Sequence, residues 1–123
     1  MFTNGITVVL TGTEAEYAGM TISWITMIET NHLVMSLPKN SKATTQLLEN
    51  KTFSVSELSE GQENIAKQFG GTKYNMDNLV DKSSIKYDQS GLPIIFNCCS
   101  NAICDVIFTH EVPCVRIVVA SKT

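Results

Sequence analysis

Residues 19–26 have the sequence GMTISWIT, and residues 39–44, a short distance further on, have the sequence KNSKAT. The first segment combines β-branched residues, small hydroxyls and one indole, which predicts a strand with different chemistry on its two faces. The second combines capping hydroxyls with two lysines, which predicts the start of a helix that attracts anions. Together they favour a site for a planar ring at one end and a phosphate at the other.

The composition predicts a single globular domain over residues 1–123, with 43% hydrophobic and 17% charged residues. The net charge is −3 and no basic cluster is present, which argues against nucleic acid as a partner. No apolar run approaches the roughly 20 residues of a membrane helix. The first residues also lack the pattern of a signal peptide. We therefore expect a cytoplasmic protein that binds neither nucleic acid nor membrane.

The four cysteines lie at positions 98, 99, 104 and 114. They contain no Cys-x-x-Cys pair and complete no zinc pattern with histidine. Free cysteine is among the residues most often buried, and cytosolic thiols are normally reduced. We expect four reduced thiols in a protein core, and no metal site; a redox role of the cysteines is the alternative.

Alternation, turn residues and helical spacing predict a mainly β chain in the order strand, strand, strand, helix, strand, helix, loop, strand, strand. The strands are expected at residues 6–11, 17–29, 32–37, 52–58, 93–108 and 112–120. The helices are expected at 42–49 and from a capping box at 59–62 through 69, and a polar loop at 72–91 contains a short helical turn near 76–80. This order favours an antiparallel barrel with two short helices packed outside it.

The first helix is expected to be capped by Asn40 or Ser41. Its free amides and dipole favour an anion, Ser41 and Thr44 add hydroxyls, and Lys39 and Lys42 add positive charge. An ordinary capped helix with two solvated lysines is the alternative interpretation of the same residues.

The strand at residues 20–26 places Thr21 and Ser23 on one face, and Met20, Ile22 and Trp24 on the other. A flavin ring needs hydrogen-bond donors at its pyrimidine edge and an apolar wall at its xylene edge, and this strand offers both. A core strand with a buried Trp24 is the alternative.

The chain resembles the flavin reductase-like domain family, the FMN-binding split barrel found in flavoredoxins and short-chain flavin reductases. The matching segments follow the family's order, at residues 5–9, 19–26, 36–44, 53–59 and 62–70, with shorter matches at 81–82 and 91–94. The resemblance covers about residues 5–108. It implies an antiparallel split β-barrel of Greek-key type with two short flanking helices. It also implies a homodimer that holds FMN non-covalently near the subunit interface.

The resemblance also implies the flavin ligands. The ring and ribityl chain would lie along the second strand and the phosphate at the helix start, with the full set being Thr21, Ser23, Trp24, Ile25, Lys39, Asn40, Ser41, Lys42 and Thr44. Members of the family typically take a hydride from NADH or NADPH and pass electrons to free flavin or to a partner protein.

The C-terminal part departs from the family pattern. His110 matches a family histidine near the flavin and the nicotinamide, and is the candidate catalytic residue; a lone histidine at a strand end is otherwise usually a surface residue. Arg116 stands where the family has glycine, and the chain ends at Thr123, earlier than most members. These changes bear on nicotinamide binding more than on FMN binding.

Three functions remain open from the sequence. The leading hypothesis is an FMN-binding oxidoreductase of the NAD(P)H:flavin reductase type. The second is a non-enzymatic FMN electron carrier for a rubredoxin-like redox partner, which the short C-terminus favours because it leaves the ring accessible. The third is a barrel without a cofactor, against which the segment at residues 41–44 argues. The sequence is compatible with FMN or FAD as the bound flavin, and with NADH or NADPH as the hydride donor.

Overall fold

The computed structural model describes residues 6–13, 15–69 and 84–123. The chain forms nine strands and two helices over this described part. They are β1 (Thr7–Gly12), β2 (Tyr17–Ile22), β3 (Ile25–Glu29), β4 (His32–Pro38), α1 (Lys42–Asn50), β5 (Thr52–Glu57), α2 (Glu63–Phe69), β6 (Ile85–Tyr87), β7 (Pro93–Ile95), β8 (Ser100–Glu111) and β9 (Val115–Lys122).

Seven strands form one antiparallel sheet in the order β2-β1-β5-β8-β9-β4-β3, and β6 pairs with β7 in a small second sheet. The strands β2 and β3 lie at opposite edges of the large sheet but are consecutive in the chain, joined by Ser23 and Trp24. Three Cα–Cα steps span at most about 11 Å, so the sheet must curl until its edges approach each other. The expected antiparallel split barrel is therefore confirmed.

Three predicted segments are wrong in their boundaries. The long strand at 17–29 is broken at residues 23–24, and the strand at 93–108 is broken by a turn at 96–99, where Asn97 has a φ of 64°. Apolar residues continue through this turn, so alternation alone does not show the chain reversal. The loop expected at 72–91 contains β6. The helical turn predicted near 76–80 lies outside the described residues.

The apolar residues form two clusters on the two sides of β1. Val9 faces the interior of the barrel, whereas Val8 and Leu10 face a second cluster that includes Phe69 and Ile95. A strand buried on both faces has a continuous apolar run rather than an alternation, which accounts for the sequence TVVL at residues 7–10. The helix α2 and the small sheet thus cover the barrel from outside.

A glycine allows α2 to pack closely against β2. A Cβ atom at Gly19 would lie 2.3 Å from Cδ2 of Leu10 and 3.0 Å from the ring of Phe69. Because any side chain there would displace the aromatic ring, Gly19 sets how closely the last turn of α2 approaches the sheet.

The strand β8 contains a bulge between Val106 and Phe108. Before the bulge, Val106 pairs with the buried Ala120; after it, Phe108 pairs with Val119 on the opposite face of β9. Strict alternation along the strand expected at residues 93–108 would place Phe108 on the same face as Cys104, and this expectation is wrong because the extra residue reverses the order of the faces. We call the side of β4, β8 and β9 that is turned away from the barrel interior the outer face.

The four cysteines are free thiols, but only Cys104 is buried; Cys98 is half-buried, and Cys99 and Cys114 are exposed. The expectation that all four lie in a core is therefore wrong. No group of three potential metal ligands occurs among the described residues. The two helices of the described part are too short to cross a membrane.

Candidate functional site

Three residues of three neighbouring strands, together with Trp24 just before a fourth strand, form a row on the outer face. His110 of β8 pairs with Ile117 of β9, and Ile117 pairs with Ser36 of β4. The backbone N–H of Ser36 donates a hydrogen bond of 2.8 Å to the carbonyl oxygen of Trp24, which precedes β3. Directly paired residues project from the same face of a sheet, and three strand spacings are about 14 Å. The row therefore brings Trp24 and His110 to one surface.

An open cavity of about 450 Å³ lies at the Trp24 end of this row. It is lined by Trp24, Ser36, Leu37, Pro38 and Val115. The Trp24 side chain is 76% exposed, so the alternative of a core tryptophan is wrong. The cavity combines an apolar lining with one hydroxyl, from Ser36, which is typical of sites that bind a planar organic ligand.

The first turn of α1 follows the cavity directly in sequence, after the turn at residues 39–40. The Ser41 side-chain oxygen accepts hydrogen bonds from the backbone N–H groups of Ala43 at 3.1 Å and Thr44 at 3.4 Å. These bonds use both acceptor positions of the hydroxyl and leave its O–H free to donate. Ser41, rather than Asn40, is thus the cap, and it retains a donor for an anion.

The polar side chains around this turn differ in whether they already have a partner within the protein. Asn40 and Lys42 are exposed, whereas Lys39 Nζ lies 3.2 Å from Oε2 of Glu111. The hydrogen bond from Lys39 and the charge of Arg116 lower the pKa of the Glu111 carboxyl. Glu111 is therefore ionised at neutral pH and pairs with one of the predicted phosphate ligands.

Three predicted ligands have side chains that point away from this surface. Thr44 is 1% exposed, and its hydroxyl lies 3.8 Å from the sulfur of Met20. Thr21 Oγ1 donates a hydrogen bond of 2.7 Å to the carbonyl oxygen of Ala66 in α2. Ile25 packs in the barrel core. Only the backbone groups of these residues are available to a ligand at the outer face.

Two further residues of the surface carried no functional prediction. Ser36 and Val115 line the cavity, and Ser36 also belongs to the row with His110. A signal for Ser36 was present, because Leu33, Met35 and Leu37 alternate as buried residues and direct the residues between them outward. Val115 gave no such signal. Ser23, which was predicted as a ligand, is exposed at the break between β2 and β3.

Solved structures with the same fold include several flavin reductases. The flavin reductase of styrene monooxygenase (SMOB) from Pseudomonas putida S12 is 25% identical, with a TM-score of 0.83 over 97% of this chain and 76% of that chain. The NADH:FAD oxidoreductase SgcE6 of Streptomyces globisporus C-1027, in complex with NAD and FAD fragments, is 23% identical, with a TM-score of 0.80 over 96% and 72%.

A third structure, an FMN-binding protein from Thermus thermophilus, is 18% identical, with a TM-score of 0.82 over 97% of this chain and 67% of that chain. No curated protein sequence matches the chain significantly. The sequence matches the flavin reductase like domain over residues 1–121. The chain therefore belongs to the flavin reductase like domain family, as its sequence segments and its curled antiparallel sheet both indicate.

Proposed function

We propose that this chain is an FMN-binding oxidoreductase that takes a hydride from NADH or NADPH and passes electrons through the bound flavin to an acceptor. The observation that carries this proposal is the cavity beside Trp24 and Ser36, which leads along the chain into the helix start capped by Ser41. The names of two structural neighbours, an NADH:FAD oxidoreductase and an FMN-binding protein, support the same class of ligands.

The helix start fits a phosphate. The free O–H of Ser41, the side-chain amide of Asn40 and the ammonium of Lys42 all lie at or beside the first turn of α1, where the helix dipole adds positive potential. The first turn contains no acidic residue that would repel an anion. These groups would hold the phosphate of FMN, with Thr44 contributing through the helix backbone rather than its buried hydroxyl.

The cavity fits the ring. Its volume of about 450 Å³ lies within the usual range of ligand sites, roughly 300–1,000 Å³. The Trp24 indole offers a flat apolar surface for stacking, and Pro38 and Val115 offer further apolar contact. The Ser36 hydroxyl can donate to a ring heteroatom, and exposed Ser23 lies on the neighbouring chain segment.

The residues of this chain would serve mainly to position the reactants. A bound flavin supplies the chemistry by accepting a hydride at its N5 atom. Donors at the chain break beside Trp24 and at Ser36 would stabilise the negative charge that the reduced ring carries. His110, at the other end of the row, would contact the nicotinamide side of the site. This mechanism needs no side-chain nucleophile.

We also propose that residues 1–123 form one FMN-binding domain that pairs with a second copy. Ile107 and Phe108 are each 55% exposed, and the half-buried Val34 and Val119 continue the same outer face beside Phe108. Clustered apolar residues of this kind mark protein interfaces. A second copy placed on this face would cover the patch and border the row that contains His110.

Sedimentation analysis tests this pairing. We expect the wild-type protein to be a dimer and the Phe108→Lys variant to be a monomer, whereas a monomeric wild-type protein contradicts this proposal.

The test of function is an absorbance spectrum of the purified protein with and without FMN, followed by anaerobic mixing with NADH or NADPH. We expect flavin bands that disappear on mixing with the nicotinamide. Bound flavin that stays oxidised would favour the electron carrier, and protein that stays colourless with both FMN and FAD would favour the barrel without a cofactor.

The Ser41→Asp variant tests the phosphate position. Aspartate is also a good helix cap, so the variant keeps α1 intact while it places a negative charge at the helix start. Like-charge repulsion should weaken FMN binding and leave riboflavin, which has no phosphate, unaffected. Unchanged FMN affinity would show that the phosphate lies elsewhere.

A further inference from the structure

One carboxylate oxygen connects two cations beside the helix start. Glu111 Oε2 lies 3.2 Å from Lys39 Nζ and 2.9 Å from Arg116 Nη2. Glu111 ends β8, Arg116 lies near the start of β9, and Lys39 belongs to the turn between β4 and α1. The three side chains therefore join the β8–β9 hairpin to the turn that leads into Ser41. We call them the ionic triad.

The ionic triad has more donors than acceptors. With Glu111 ionised, its formal charge is +1. Arg116 Nη1 is shielded from solvent and has no hydrogen-bond partner among the described residues, although Nη2 of the same side chain contacts Glu111. An enclosed N–H group without an acceptor is energetically unfavourable. Through Nη2, Arg116 pairs with the same carboxylate that holds Lys39.

We propose that Glu111 is an internal counter-ion that competes with the phosphate of a bound flavin for Lys39, and that Arg116 holds Glu111 in this position. This inference rests on the proposed function, since it assumes that a flavin phosphate lies at the start of α1. Glu111 is a positioning residue in this scheme, because it acts on the ligand through Lys39.

The argument depends on the place of Lys39 in the chain. Lys39 is separated from the capping residue Ser41 only by Asn40, so its backbone belongs to the turn that leads into the proposed phosphate site. While it pairs with Glu111, its charge is partly neutralised and its side chain is held toward β8 and β9. Loss of the carboxylate raises the formal charge of the triad from +1 to +2 and frees Lys39.

The effect of Glu111 on binding should be specific for ligands that carry a phosphate. Because the ionic triad is exposed to solvent, we expect removal of its one negative charge to change the FMN affinity by only roughly fivefold. FMN carries the phosphate and responds to this change, whereas riboflavin has the same ring without the charge. Glu111 would thus set the ratio of the two affinities rather than the affinity for the ring.

The experiment compares FMN and riboflavin affinities of the wild-type protein and four variants by quenching of flavin fluorescence at about 0.1 M salt. Glu111→Gln keeps the shape of the side chain and should tighten FMN binding about three- to tenfold, with riboflavin unchanged. Arg116→Gln should weaken FMN binding, because Glu111 then pairs with Lys39 alone. The double variant should bind FMN more tightly than Arg116→Gln does, because Lys39 is then free of the carboxylate.

Glu29→Gln is the matched control. It removes one negative charge from the chain as Glu111→Gln does, but Glu29 lies in the β3–β4 hairpin and contacts His32, at the opposite end of β4 from Lys39. Seven residues of β4 place the two ends about 20 Å apart, which is well beyond the screening length of about 10 Å at 0.1 M salt. This control should leave the FMN affinity unchanged.

The outcomes separate the two proposals. If the wild-type protein binds both ligands and Glu111→Gln behaves like Glu29→Gln, the role of Glu111 is overturned while the flavin site stands. Equal tightening of FMN and riboflavin also overturns it, because the effect then does not act through the phosphate. If the wild-type protein binds neither ligand, both the proposed function and this inference fail.

Discussion

Thr21 Oγ1 donates a 2.7 Å hydrogen bond to the carbonyl oxygen of Ala66, and this contact joins β2 to α2. Ala66 lies in the last turn of α2, where carbonyl oxygens no longer have N–H partners within the helix. The same strand carries Gly19, whose lack of a side chain admits the Phe69 ring. The sequence GMT at residues 19–21 thus positions α2 on the barrel, in addition to any role beside a ligand.

We expect the Thr21→Val variant to be less stable without losing FMN affinity. Valine keeps the shape but removes the donor, and the partly buried Ala66 carbonyl oxygen loses its partner. The free energy of unfolding should fall by about 1–2 kcal/mol in urea titration. Thr21→Ser, which keeps the hydroxyl, is the control and should retain most of this stability. A loss of FMN affinity at unchanged stability would instead assign the hydroxyl to the flavin.

Trp24 is the only tryptophan of the chain, so its fluorescence reports on the cavity alone. We expect added FMN to quench this emission, because the ring would stack on the exposed indole. Replacement by alanine should weaken FMN binding by up to about tenfold, as expected for the loss of one aromatic pair. Trp24→Phe keeps a stacking surface and should bind more tightly than Trp24→Ala. Unquenched emission in FMN-saturated protein would place the ring away from Trp24.

The four thiols should react at different rates with Ellman's reagent. Burial raises the pKa of the Cys104 thiol to about 11, so this residue is both inaccessible and protonated at neutral pH. Burial also raises the pKa of the half-buried Cys98, whose Sγ contacts the Ser100 carbonyl oxygen at 3.2 Å. We expect two fast thiols, Cys99 and Cys114, in native protein and four in denaturant. A third fast thiol would mean that the turn at residues 96–99, which carries Cys98, or β8, which carries Cys104, is less tightly held than its contacts indicate.

The β6–β7 hairpin should weaken in acid because of Asp88. Its Oδ1 accepts hydrogen bonds from Ser90 N at 2.9 Å, Ser90 Oγ at 2.7 Å and Leu92 N at 2.9 Å. The bond from the Ser90 side chain and the backbone bonds lower the pKa of Asp88 in the folded protein. The ionised Asp88 therefore stabilises the folded protein. This stabilisation is complete above the pKa of an unfolded aspartate, about 3.9, and is lost as the pH falls through the lower pKa that Asp88 has in the folded protein.

The measurement for Asp88 is urea unfolding of the wild-type protein and Asp88→Asn between neutral pH and pH 3. We expect the wild-type protein to be the more stable at neutral pH and the difference to shrink in acid, because asparagine cannot ionise. A difference that is independent of pH would show that the turn does not depend on the charge of the carboxylate.

Much of the local structure followed from residue types. The α1 prediction was correct to within one residue because Ser41 can satisfy the amides of the first turn from its own side chain. The β4 prediction was likewise correct to within one residue at Pro38. The prediction of one strand at residues 93–108 was wrong because the turn near Asn97 has apolar neighbours. The hydrophobic pattern therefore continues through the point at which the chain reverses direction.

Sequence alone determined the capped start of α1, the extent of β4 to within one residue and the family of the chain. All of these depend on interactions between residues close in sequence or on the order of short segments. The tertiary structure decided that Trp24 and His110 share one surface and that Lys39 is paired with Glu111. These relations depend on the pairing of β4 and β9 with their neighbours and on the bulge before Phe108. Such long-range backbone hydrogen bonds leave no local pattern in the sequence.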